Sequence, residues 1–266
     1  MDLQGVLDVN EIKRHVARIK NHKKPYFTNL YLNEERFRYL VAKGTVFYRA
    51  SEYSCVVLCK QFDYYQLFFF SNDRSDFCDL MAALQQKGRR FHADIIGDQA
   101  ACIAAVEACG FRYYDSFCRL SRVNPTIKAF TPPKEWLATP QEATEIEELL
   151  LAQFDNHCDQ IPDLYDLNHL IAAQNVFVIR DEEKSCIASV IVFETYGKML
   201  VWKLWVTRAA YRRERHGIRL YLFFKRYMDN FHRQILFVHK NSPVQKFHEA
   251  FHFQRDGLQD HVYILQ

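Results

Sequence analysis

Excess charge, long apolar runs and paired cysteine motifs are all missing from this chain. Its 35 lysines and arginines outnumber its 32 aspartates and glutamates by only 3. So small a surplus excludes a general nucleic-acid or membrane-surface binder, and any basic site must be local. The most apolar windows, SCVVLC and YYQLFFF, fall far below membrane-spanning length, and the N-terminus has no cationic stretch followed by an apolar run. A cytoplasmic protein that engages neither nucleic acid nor membrane is the expectation. None of the 8 cysteines forms a CxxC, and most sit inside apolar periodic segments of a chain too large to need disulfides. Buried reduced thiols are expected, and no metal site.

Disorder, collagen-like repeats and low complexity are excluded as well, because hydrophobic types make up 49% of the residues and there are 22 Phe and 15 Tyr. At 266 residues the chain is one large domain or, more naturally, two of modest size. The stretch 123–140, VNPTIKAFTPPKEWLATP, holds four of the seven prolines and no periodicity of its own. It reads as a linker, giving one domain over 1–123, a linker over 124–140 and a second domain over 141–266.

The two halves show one order of elements. Before the linker a helical start over 10–19 leads to three β-rich runs, GTVFYRAS, SCVVLCKQ and YYQLFFFS. A helix (DFCDLMAALQQKG), a strand (FHADII), a second helix (QAACIAAVEACG) and a last strand-like run (YYDSFCRLS) follow, with Gly88 and Gly110 as stop signals. After the linker come two helices, three strands (VFVIRD, CIASVIVFET, LVWKLWVT), then helix, strand, helix and a final strand (DHVYIL). Ser71 and Thr207, closing the third strands, are 136 positions apart, while Phe111 and Phe253 are 142 apart. The extra residues fall in the second half only, at RAAYRRERHG, as in an internal duplication where one copy keeps a long strand-to-helix loop. A mixed α/β sheet in two tandem copies is the predicted fold.

A strand running into a loop that opens a helix is a ready site for a pyrophosphate, since free N–H groups and the positive end of the helix dipole both point at the anion. The second copy has this arrangement, with LVWKLWVT, the loop 211–217 and a helix from Ile218. Arg212, Arg213 and Arg215 can add charge-assisted bonds, and Gly217 permits close backbone approach. A solvated basic turn would use the same residue types. Between Ser71 and the next helix the first copy has only NDRSD. It is expected to be structural.

With its β-β-β-α-β-α-β order, its V-x-x-x-x-Y-R-x-x-x-x-G loop and its terminal N-x-x-V-x-x-F-H-E-x-F-x-F helix, the chain resembles the GCN5-related N-acetyltransferase superfamily in two tandem copies, the first degenerate. The family loop is Q or R, two residues, Gly, one residue, Gly or Ala. Here Arg212 matches the first position and Gly217 the last, and Arg215 stands at the first glycine. The resemblance implies that acetyl coenzyme A, as cosubstrate, is held by Val206, Thr207, Arg212, Arg213, Arg215, His216, Gly217, Ile218 and Asn241. The oxyanion donor would be a backbone N–H near Val206. His248, where the family often has a tyrosine, would protonate the departing thiolate, with solvent or Tyr196 as the substitute source. On an amphipathic helix His248 also reads as a plain surface residue. Glu194, at the end of its strand, is the best-placed base for the incoming ammonium, and also reads as a solvated strand-end acid.

Asp155, Asp159, Asp163 and Asp166 fall where such folds build the acceptor wall and would suit an amine, although Asp163 also reads as a helix N-cap. His157, Cys158 and Asp159 are adjacent and cannot all face one ion without an unusual loop. The function implied is coenzyme A-dependent N-acyl transfer, most simply of acetyl, to a small-molecule amine by direct attack. A non-catalytic binding or scaffold protein of the same fold is the alternative, as is a transferase using aminoacyl-tRNA. The latter needs a basic channel, which a net charge of +3 does not supply.

Overall fold

A computed structural model describes residues 3–31, 33–86, 88–181, 183 and 185–266. The chain divides into two units. One runs to Phe117 and takes in Leu258–Gln266, and the other is Cys118–Gly257.

The first unit is built from β1 (Gln4–Gly5), α1 (Val9–Lys20), β2 (Phe27–Thr28), α2 (Glu34–Ala42), β3 (Val46–Ala50), β4 (Ser54–Lys60), β5 (Tyr65–Ser71), α3 (Arg74–Gln85), β6 (Phe91–Ile96) and α4 (Ala100–Ala108). From β7 (Arg112–Val123) the chain enters the second unit, with α5 (Ala143–Leu151), α6 (Leu164–Ala172), β8 (Val176–Asp181), β9 (Cys186–Tyr196), β10 (Met199–Thr207), α7 (His216–Met228), β11 (Arg233–His239) and α8 (Val244–Ala250), and β12 (Gln254–Leu265) re-enters the first unit at Leu258.

Helix starts follow the chemistry of their first residues. Asp8, Asn33, Asp73 and Asp163 each accept a backbone N–H of the first turn of α1, α2, α3 and α6 through their side chains. Thr139 and Glu142 form a capping box ahead of α5. Helix α2 has no counterpart among the sequence expectations. Of its nine residues, EERFRYLVA, only Phe37 is buried, so its apolar period is too faint to announce it.

In the first unit the strands run β1-β3-β4-β5-β6-β12. β4 is buried on both faces from Ser54 to Cys59, as a central strand should be. One face packs α3 and α4 in a core around Phe69, Phe77, Met81, Phe91 and Val106. The other packs α1 and α2 around Ile12, Ile19, Phe37 and Val57. The closing strand DHVYIL, expected with the second copy, instead pairs antiparallel with β6 from Asp260↔Ile96 to Leu265↔Phe91. Tyr263 and Leu265 join the α3/α4 core.

In the second unit the order is β7-β11-β10-β9-β8. Helices α7 and α8 cover one face, around Phe177, Phe193, Trp202, Tyr221 and Phe224, and α5 and α6 cover the other, around Ile146, Leu150, Leu167 and Val190. The proline-rich stretch is packed rather than loose. Asn124 is buried and donates to Met228 O and Phe231 O, Trp136 stacks on Phe223 at 4.1 Å, and Arg180 binds Glu142 through Nε at 2.6 Å.

None of the eight cysteines is in a disulfide, and burial pushes the Cys55 and Cys59 thiols up to about 12. Among the described residues no helix is long and apolar enough to cross a membrane.

Candidate functional site

The site begins with a parting of strands. β10 pairs with parallel β11 only from Met199↔Arg233 to Trp202↔Leu236, yet stays with antiparallel β9 as far as Thr207↔Ser189. Beyond Trp202 a gap therefore opens between β10 and β11. The β9 register shifts between Trp202 and Leu204, a bulge at Lys203 that turns the strand over. Leu200 and Trp202 lie in the α7 core, whereas Leu204 and Val206 lie in the α5/α6 core.

A backbone bond from Arg208 N–H to Ala188 O, 2.9 Å, fixes the alternation beyond the bulge. Leu204 and Val206 turn their main-chain groups to β9, and Trp205 and Thr207 turn theirs toward the gap. Near Val206, where the oxyanion donor is expected, the N–H turned to the gap is that of Trp205, while the Val206 N–H is committed to the sheet.

The strand ends at Thr207 against the start of α7. The first intrahelical bond runs from Arg219 N–H to Arg215 O, so the N–H groups of His216, Gly217 and Ile218 open from the helix mouth. No side chain caps them and no acid stands in the first turn. Arg212, Arg213 and Arg215 are exposed around this mouth. They are not equivalent. Arg212 is drawn toward Thr207 O through Nε at 3.4 Å and donates to Gln153 through Nη2.

Arg215 has φ +61, so the first family glycine is replaced by a side chain in a left-handed conformation. Its backbone angles are not ordinary, which explains why a glycine suits that position. Gly217 has a negative φ and a different reason to lack a side chain, since a Cβ there would overlap the Thr207 hydroxyl. The close approach that it permits is to its own strand. His216 leans edge-on against buried Tyr211 at 5.4 Å and reaches Glu214 at 3.2 Å, while Tyr211 donates to Asp181 at 2.6 Å and anchors the loop.

His248 is not a surface residue. It is 3% exposed, edge-on to Trp202 at 4.9 Å, and beside Phe247 and Phe253. Burial pushes its pKa down to about 4, so the imidazole is neutral near pH 7 and holds no extra proton for a departing thiolate. Val244, one helical turn before it, is 43% exposed at the start of the helix. Asn241 is an exposed residue with φ +70 just past β11, a conformation asparagine tolerates better than most.

Glu194 is half-buried, accepts from the Tyr196 hydroxyl and lies 3.9 Å from Lys203 at the bulge. It is neither solvated nor alone. Among the four aspartates, Asp163 caps α6, and Asp155 accepts from His157 N–H at 2.9 Å. Asp159 accepts from Asp155 N–H at 2.8 Å and meets His239, the last residue of β11, at 3.2 Å.

Several residues at the gap left no readable signal in sequence. Trp205 and Tyr221 stack at 5.6 Å beneath it, with Phe247 at 4.8 Å from Tyr221. The Trp205 Nε1, Tyr221 hydroxyl and His248 Nδ1 are buried with no hydrogen-bond partner among the described residues. Aromatics at helical or strand spacing read as core, and these are core on every side but the gap. The pairing of His239 with Asp159 spans 80 positions and has no local pattern.

No family model matches the chain, and no curated protein matches it in sequence. Solved structures do match in fold. A tandem GNAT protein from the clavulanic acid biosynthesis pathway, without AcCoA, superposes with a TM-score of 0.62 at 8% identity over 99% of this chain and 98% of its own. A GCN5-related N-acetyltransferase from Sphaerobacter thermophilus gives 0.56 at 10% identity, over 99% and 95%. A GNAT-family acetyltransferase from Colwellia psychrerythraea gives 0.52 at 9%, over 99% of both. The chain has the tandem fold of the GCN5-related N-acetyltransferases, as its sequence resemblance implied.

Proposed function

We propose that the second unit is a coenzyme A-dependent N-acyltransferase, transferring an acyl group, most simply acetyl, from acyl coenzyme A to a small-molecule amine in the cytoplasm. The observation that carries this reading is the uncapped mouth of α7, flanked by three arginines and placed where β10 leaves β11. Backbone N–H groups of His216, Gly217 and Ile218, with Arg213 and Arg215, suit the pyrophosphate. The Trp205 N–H, turned into the gap, suits the thioester oxygen as charge develops on it. Unpaired polar atoms on Trp205, Tyr221 and His248 give a bound arm further partners, since a buried donor or acceptor left unpaired costs about 1–3 kcal/mol.

In this reading the amine attacks the thioester carbon directly, the C–N bond forming as the C–S bond breaks. Glu194, steadied by Tyr196 and Lys203, takes the proton from the incoming ammonium. The thiolate is protonated by solvent or Tyr196, because His248 is neutral and acts at most through an N–H bond to sulfur. Isothermal titration of the full chain with acetyl coenzyme A is the test. Saturable binding supports the reading, and none at millimolar ligand rejects it.

A second reading, ligand binding without turnover, is favoured by the neutral His248 and by Arg215 at the glycine position. The two separate when thiol release is followed over a panel of primary amines.

A further inference from the structure

The first unit repeats the parted strands and fills the gap from its own chain. β5 and β6 run parallel only through Tyr65↔Phe91 and Gln66↔His92. Gln66 precedes Trp202 by 136 positions, the same offset that separates Ser71 from Thr207. The strands of both copies therefore part at the same place. Here the bond from Asn72 N–H to Tyr53 O, 3.1 Å, fixes the alternation, so that Phe68 and Phe70 turn to β4 while Leu67 and Phe69 turn to the gap.

Asn29, 4% exposed, projects into it. Its Nδ2 donates to Leu67 O at 2.9 Å and to Asp94 O on β6 at 3.1 Å, and its Oδ1 accepts from Phe69 N–H at 2.8 Å. One carboxamide joins both edges of the gap. Thr28 adds a bond from Oγ1 to Phe69 O at 2.6 Å, and β2 pairs with β5 at Phe27↔Ser71.

The helix after the gap is closed by the same means. The Asp73 carboxylate accepts from Asp76 N–H at 3.0 Å, and Asp76 puts a second acid in the first turn of α3. Such carboxylates satisfy the orphan donors and the helix dipole, and repel any other anion. In the second unit the group at the Phe69 offset is the Trp205 N–H, and among the described residues no side chain bonds it. α7 is preceded by Arg215 and has no acid in its first turn.

We propose that Asn29 and Asp73 are built-in ligands of the first unit. The Asn29 carboxamide stands where an amide-bearing arm would bridge the strands, and the Asp73 carboxylate stands where an anion would meet the helix. The first unit is thereby held in a bound form and takes no coenzyme. Nothing in this depends on the second unit being an enzyme.

Hydrogen exchange of the full chain, followed by mass spectrometry of peptides spanning 65–71 and 201–207, tests it. In the wild-type chain the 65–71 peptide should exchange equally slowly with and without saturating acetyl coenzyme A. Asn29→Ala, losing three hydrogen bonds, should speed it by about tenfold or more without altering 201–207. Asn29→Asp should do the same, because it sets a carboxylate against two carbonyl oxygens. Slowing of 65–71 by acetyl coenzyme A in the wild type would overturn the proposal, and so would unchanged exchange in both variants. Should neither variant fold, the wild-type comparison alone decides. Indifference of 201–207 to acetyl coenzyme A would count against the activity proposed for the second unit and leave the first-unit result standing.

Discussion

Gly217 and Thr207 lie so close that the glycine hydrogen occupies the only space the threonine hydroxyl leaves. That hydroxyl also meets Ser189 Oγ at 2.9 Å, so it is pinned from the far side. Gly217→Ala should therefore cost about 1–3 kcal/mol of stability by overpacking. Thr207→Ala in the same chain should restore most of it, because the next contacts, with Trp205 and the Thr207 Cβ, are at 3.4 and 3.5 Å. Denaturant unfolding of the two single variants and the double variant measures the coupling directly. Additive losses would refute the close packing.

The three loop arginines should differ in what they give to acetyl coenzyme A binding. Arg213→Ala and Arg215→Ala remove exposed guanidiniums at the helix mouth and should each weaken affinity by about three- to tenfold, less at high salt. Arg212→Ala should do less, since its guanidinium is turned to Gln153 and Thr207 O. Titrations at about 50 mM and about 500 mM salt compare them.

His248 should make stability depend on pH over a defined window. Its native pKa, about 4, is below the 6.5 of an unfolded histidine, so the unfolded chain binds the extra proton first as pH falls. Its contribution is fully present above pH 6.5 and is lost as pH drops toward 4, by no more than about 3 kcal/mol in all. His248→Phe should flatten that part of the unfolding free energy between pH 7 and 4, measured against wild type. A wild-type-like slope in the variant would place the imidazole in water.

β12 should hold the first unit together. Leu265→Ala, in the α3/α4 core, should cost about 2–4 kcal/mol. A fragment ending near residue 122 lacks the strand that covers β6, so it should aggregate, and any folded portion should show no affinity for coenzyme A. Thermal unfolding and calorimetry report the two outcomes.

Much of this was readable in the sequence, for physical reasons that stop at identifiable residues. Helix periods carried α1, α3, α6 and α7, with Asp163 legible as the cap of α6, and the offset from Ser71 to Thr207 matched the ends of the third strands. Alternation could not show the bulge at Lys203, because every second residue of β10 stays buried while the face it points to changes. Hence which N–H near Val206 faces the gap, that of Trp205, was not legible. His248 looked amphipathic because a histidine on a short helix is scored as polar, and only the rings around it show that it is inside. Asn29 gave no signal at all, lying just past the two-residue β2 in the connection before α2, where asparagine is common.

The pairing of β12 with β6 also sets an order of events. The sheet of the first unit is not finished until Asp260–Leu265 leave the ribosome, since β6 waits for them. Chain elongation past residue 123 leaves that edge open throughout the synthesis of the second unit, a long interval for an unpaired strand. The first unit is thus complete only after the residues of the second have been made.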